Sequence, residues 1–119
     1  CQGTLYFSPD IEYSCSNIGA NTIQLIVSDS ENNTASCTSV ITVQDVTAPA
    51  VVCQNLTVYL TAAGTASVTS AQIDNGTTDN CTSAANLDFE PQTLNYTCAD
   101  SGPHTINMSV TDEHGNTAT

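Results

Sequence analysis

The strongest constraint on this chain is that its second half rewrites its first. Tyr13-Ser14-Cys15 returns as Tyr96-Thr97-Cys98. Asn21-Thr22-Ile23-Gln24-Leu25-Ile26-Val27-Ser28-Asp29 returns as His104-Thr105-Ile106-Asn107-Met108-Ser109-Val110-Thr111-Asp112, and Asn33-Thr34-Ala35-Ser36 returns as Asn116-Thr117-Ala118-Thr119. Every match lies 83 residues on (98 − 15, 106 − 23, 116 − 33). Cys1 matches Cys81 at a distance of 80, so one loop differs by three residues. A unit of about 80 residues suffices for one small, marginal core. The chain therefore reads as a window on a tandem array, an arrangement suited to length, spacing or multivalency.

Local patterning is that of an all-β protein. Leu56-Thr57-Val58-Tyr59-Leu60 alternates with period two, as do Ile23, Leu25 and Val27 and their counterparts Ile106, Met108 and Val110. Turn signals fall at short intervals: Ala63-Gly64, Asn75-Gly76, Ser101-Gly102-Pro103 and His114-Gly115-Asn116. Ser30–Asn33 and Glu113–Asn116 each close a predicted hairpin, and Ser70–Asp74 suits one helical turn. Short strands with frequent turns predict antiparallel β-sandwich repeats. The proline-containing segment 45–49 reads as a stiff joint. It divides residues 1–48, the C-terminal part of one repeat, from residues 49–119, most of the next without its last strand. On this reading the segment either belongs to a longer chain or is completed by neighbouring subunits.

The chain has no lysine or arginine, 12 carboxylates and two histidines, for a formal charge of −12. Nothing neutralises phosphate, so nucleic acid and anionic membranes are poor partners, and neither nucleic-acid binding nor membrane insertion is expected. Lysine-dependent isopeptide cross-links are excluded too. Divalent cations would relieve the mutual repulsion of the carboxylates. Six cysteines without CxxC spacing, in a Thr/Ser/Asn-rich β chain, predict disulfides and an oxidising, extracellular location. The repeat makes Cys1–Cys15 and Cys81–Cys98 the simplest equivalent bridges. Cys37 and Cys53 then pair with cysteines outside the chain, with Cys37–Cys53 across the joint as the alternative.

The order of motifs has a family likeness. Asp45-x-Thr47-Ala48-Pro49 precedes Val51-Val52-Cys53-Gln54-Asn55-Leu56-Thr57-Val58, and Ile73-Asp74-Asn75-Gly76 leads to Asp79-Asn80-Cys81. Tyr96-Thr97-Cys98 follows, and then Val110-Thr111-Asp112-Glu113-His114-Gly115-Asn116-Thr117-Ala118. This order resembles the hyalin-repeat (HYR-like) immunoglobulin-type domains. It is most similar to the cysteine-bearing versions stacked in large surface adhesins and extracellular filaments of gliding and related bacteria. The resemblance implies an immunoglobulin-like sandwich, secretion, and a structural or adhesive role.

In an immunoglobulin-like topology the incoming linker, the loop after the second strand and the last hairpin converge at one end of a domain. Here they carry Asp45, Asp74 and Asp79, and Asp112 and Glu113, the candidate oxygen ligands of a junctional calcium ion. Asp29 is the equivalent in the first repeat. Six Asn-x-Ser/Thr sequons at Asn32, Asn55, Asn75, Asn80, Asn95 and Asn107 are candidate glycan acceptors. Alternation points Asn55, Asn95 and Asn107 outward. His104 matches Asn21, which argues against an imidazole-specific task, and His114 reads as a hairpin-tip residue. Tyr13 and Tyr96, two residues before a cysteine, have the spacing of a tyrosine corner. No nucleophile or acid/base motif stands out, so no enzymatic activity is predicted.

The expected function is structural: a segment of a long extracellular rod or filament, stiffened by calcium, whose partners are neighbouring repeats or subunits. One alternative is a multivalent module that binds glycan or protein. Another is a subunit completed by strand exchange. The repeated positions are core, turn and cysteine positions while the hairpin tips differ, which favours the spacer.

Overall fold

The computed structural model describes residues 5–8 and 10–119. The secondary structure is mostly β, in antiparallel sheets, with a single helical turn α1 (Ser70–Ile73) and three short 3-10 turns. The chain separates into two units, Cys1–Asp45 and Val46–Thr119. No helix among the described residues is long and apolar enough to cross a membrane.

The first unit is one antiparallel meander of β1 (Tyr6–Ser8), β2 (Gly19–Ser28) and β3 (Thr34–Val43). The β-branched and hydroxyl residues that fill β2 and β3 suit a pleated surface. Their ladder runs unbroken from Ser28↔Thr34 to Gly19↔Val43. No described residue of this unit is buried. A single sheet covers neither of its faces, so its alternation separates half-buried from exposed residues and goes no further.

The second unit holds two sheets. One pairs β4 (Thr65–Thr69) with β6 (Thr93–Thr97), and the other is ordered β5 (Asp88–Glu90), β7 (Ser109–Thr111), β8 (Thr117–Ala118). Its core draws Val68 from the first sheet, Val110 from the second, and Leu87 and Met108 from the flanking chain. α1 follows β4 directly, with Thr69 N–H donating to Gln72 Oε1 at 3.0 Å as its cap.

Two expected strands fall short. Leu56–Leu60 is exposed throughout and belongs to no ladder, and of Ile106–Thr111 only Ser109–Thr111 is a strand. Val110↔Ala118 and Thr111↔Thr117 repeat Val27↔Ala35 and Ser28↔Thr34, 83 residues on. In the first unit the same register sets Ile23 and Leu25, the counterparts of Ile106 and Met108, against Ser39 and Cys37.

A further match emerges from the pairing. β1 and β5 hold equivalent places against β2 and β7, with Phe7↔Val27 and Phe89↔Val110. The sequences agree: Leu5-x-Phe7-x-Pro9 and Leu87-x-Phe89-x-Pro91, at a distance of 82. The shift from 83 to 80 thus has an intermediate step between the cysteine and the tyrosine of each repeat.

Candidate functional site

The acidic residues singled out by the sequence are first of all turn builders. In the first hairpin Asp29 Oδ1 accepts from the N–H groups of Glu31 and Asn33, both at 2.9 Å. Asn33 Nδ2 donates to Asp29 Oδ2 at 2.9 Å. In the second, Asp112 Oδ1 accepts from His114 and Asn116 N–H, both at 2.8 Å, and Asn116 Nδ2 donates to Asp112 Oδ2 at 2.7 Å. The backbone bonds Asp29 N–H to Asn33 O and Asp112 N–H to Asn116 O are both 3.0 Å. The loops even share their left-handed residue, Asn32 at φ 62° and Gly115 at φ 87°. A carboxylate in each loop thus satisfies N–H groups that no ladder partner reaches.

The cysteine turns recur in the same way. Ser14 N–H donates to Asn17 Oδ1 at 3.0 Å, and Thr97 N–H donates to Asp100 Oδ2 at 2.8 Å, each across a 3-10 turn. Asn21 Nδ2 donates to Asn17 O, and His104 Nε2 to Asp100 O, each at 2.6 Å. His104 therefore performs an amide's task, in the tautomer with the proton on Nε2. Its ring also lies 5.5 Å from that of Tyr96.

These bonds set the ionisation of the carboxylates. Asp29 is held below its ordinary pKa by its bonds from Asn33, and Asp100 by its bonds from Thr97. For Asp74 and Asp112 burial opposes ionisation as the largest single influence. The bonds from Thr77 to Asp74, and from Asn116 and His114 to Asp112, together outweigh it, so both also lie low.

Within the second unit, the Asp79 loop and the last hairpin come together. Asp79 Oδ2 accepts from Cys81 and Thr82 N–H at 2.9 and 2.8 Å. Thr82 Oγ1 in turn accepts from Glu113 N–H at 3.2 Å, and Asn86 Nδ2 donates to Glu113 Oε1 at 3.0 Å. Asp79 Oδ1 is shielded from solvent and finds no hydrogen-bond partner among the described residues. Asp74 serves a separate purpose: it accepts from Thr77 N–H at 3.0 Å, and Thr77 Oγ1 accepts from Val52 N–H at 3.1 Å. That pair fixes the first segment of the unit through the bridges Ala50↔Thr78 and Cys53↔Asp74. Asp45 is the last residue of the first unit and is half-buried.

The cysteines require a correction. Cys37, Cys53 and Cys98 are free and exposed, so the expected Cys81–Cys98 bridge is not formed. Cys98 instead points its thiol at the turn before β4, with Sγ 3.7 Å from Gly64 O. A Cβ on Gly64 would lie only 2.9 Å from that sulfur. Cys15 and Cys81 are disulfide-bonded, and the partner of neither is one of the three free cysteines. Cys1, the expected partner of Cys15, lies outside the described residues. The alternative bridge Cys37–Cys53 is likewise not formed.

All six sequon asparagines are exposed, and the alternation around Asn107, between half-buried Ile106 and buried Met108, is the one expected. The Tyr13 hydroxyl is shielded from solvent without a hydrogen-bond partner, so the tyrosine-corner bond expected there is absent among the described residues. No protein-family model, curated protein or solved structure matches the chain.

Proposed function

We propose that this chain is a stretch of a long extracellular rod or filament, built of tandem immunoglobulin-like domains of the hyalin-repeat type and stabilised by disulfides. Its role is structural and adhesive support, with neighbouring repeats as its partners. The observation that carries this reading is the bond-by-bond recurrence, 83 residues apart, of the Asp29 and Asp112 hairpins. What recurs is support: a turn carboxylate, a left-handed residue, a capped 3-10 turn. What differs is the presented tip, Ser30-Glu31 against Glu113-His114. A binding module keeps its presented surface from unit to unit, whereas a spacer keeps its frame.

Calcium is the proposed stiffening ion, with ligands among Asp45, Asp74, Asp79, Asp112 and Glu113, and Asp29 as the counterpart in the first repeat. A set of carboxylates without a single Lys or Arg suits a hard cation that prefers oxygen. The Asp79 Oδ1 atom supports the fit, being a shielded carboxylate oxygen with its lone pairs unspent. The chain's own contribution is to hold these oxygens in turns before any ion arrives.

Thermal unfolding of the chain in calcium and in chelator tests this reading. Calcium raises the midpoint of the wild-type chain, and Asp79→Asn removes most of the rise. An identical midpoint in both conditions rules out the cation and leaves a rod held by packing and disulfides. Calcium-dependent capture of the chain by immobilised glycans would favour the multivalent binding module instead.

A further inference from the structure

The second unit carries a groove of about 680 Å³ between two lengths of chain that make no ladder. One wall is residues 55–60 and the other is residues 103–107. Among the described residues neither wall makes a backbone–backbone hydrogen bond. Amide and carbonyl groups left this way are templates for an added strand.

The groove offers apolar side chains to one. Leu56, Val58 and Leu60 line it together with Asn55 and Thr57, whereas Tyr59, 86% exposed, does not. Ile106 and Tyr96 contribute from the opposite side. The register of β7 with β8 specifies what belongs there. Continued past Ala118, it sets residues 102–108 against a strand equivalent to Cys37–Val43, because β2 is set against β3 in that register. In β3, Ile41 and Val43 are half-buried and Val40 is exposed. An incoming strand of this pattern turns Cys, Ser, Ile and Val inward, with its two smallest inward residues opposite Met108 and Ile106.

We propose that this groove binds one extended strand of the β3 type, with the alternation Cys-Thr-Ser-Val-Ile-Thr-Val, which pairs through its backbone with residues 103–107 and covers Leu56, Val58 and Leu60. Recognition is by strand addition, in which backbone bonds supply affinity and alternate side chains set register. The groove lies in the second unit, the pattern of its occupant is taken from the β2–β3 register of the first, and the proposal is independent of the spacer role and of calcium.

The test uses the whole 119-residue chain and a synthetic peptide of residues 35–43 carrying Cys37→Ser. Amide hydrogen exchange is followed residue by residue. The expected result is a slowing of about tenfold or more at 103–107 and 55–60. A control peptide with Ile41→Asp and Val43→Asp gives none. The chain variant Val58→Asp loses the effect while amides of β4 and β6 stay protected, which shows that the unit is still folded. Protection confined to the free edge of β3 in the first unit, or no protection at all, overturns the proposal.

Discussion

Ile23, Leu25 and Val27 on β2 carry the same alternation as Ile106, Met108 and Val110, and the two triplets have opposite fates. The first sits in a ten-residue strand whose ladder with β3 is complete, yet Leu25 remains 37% exposed. The second is in ladder only at Ser109–Thr111, yet Met108 is 4% exposed and Val110 fully buried. Pairing and burial are therefore separable. A ladder needs a neighbour in the same sheet, and burial needs a second layer over the face. β2 has the neighbour and no layer. Its counterpart shares its unit with a second sheet, whose Val68 is also buried, and lacks much of the neighbour.

Core truncations at equivalent positions bear on this comparison most strongly. Met108→Ala removes a buried side chain and is expected to cost about 2–5 kcal/mol of the second unit's stability. Leu25→Ala, in a half-open position, is expected to cost about 1 kcal/mol or less. Denaturant unfolding with probes in each unit measures both. Equal costs would mean that the β2 face is covered in solution, and the contrast between the units would disappear.

A smaller effect comes from the hairpin tips. Gly115 and Asn32 occupy the same left-handed position, one with the residue best suited to it and one with the next best. Gly115→Ala is expected to destabilise the second unit by about 1 kcal/mol, and Gly115→Asn by less. Asn32→Ala should weaken the first hairpin similarly. A neutral Gly115→Ala would show that the two loops are less alike than their hydrogen bonds indicate.

The β class, both hairpins and the α1 turn were legible because each is written in local chemistry: alternation and turn residues. That Leu56–Leu60 joins no ladder was not legible, because alternation reports a strand's face and says nothing about whether a neighbour is present to pair with it. The match of Leu5-x-Phe7 to Leu87-x-Phe89 was available in the sequence, but its distance of 82 falls between the two more conspicuous offsets. The carboxylates were legible as loop residues and misleading as to their first duty. Asp29, Asp74 and Asp112 bind backbone N–H groups of their own loops, a use that Asp in turns and Asp in cation sites share at the level of sequence. The cysteines show the limit of repeat logic. Cys98 is equivalent to Cys15 in its turn, yet it is free while Cys15 is bonded, because connectivity depends on which sulfur is within reach.

Acid separates the two roles of these carboxylates, with the smallest expected effect. Asp29, Asp74, Asp100 and Asp112 all have folded-state pKa values below their ordinary 3.8. A depressed folded pKa contributes stability above the unfolded value, and this stability is lost as pH falls through the folded value. Repulsion among unopposed carboxylates acts the other way, since it weakens as the chain approaches its isoelectric point of about 4.1. The thermal midpoint should thus rise modestly as pH falls from neutral and then drop below about pH 4, where the turn carboxylates take up protons. Asp112→Asn should flatten that drop in the second unit more than Asp29→Asn does in the first, because Asp112 is buried at the edge of a core and Asp29 is not. A midpoint that keeps rising to pH 2 would mean that relief of charge outweighs the turn bonds, and the two hairpins would then differ in sequence alone.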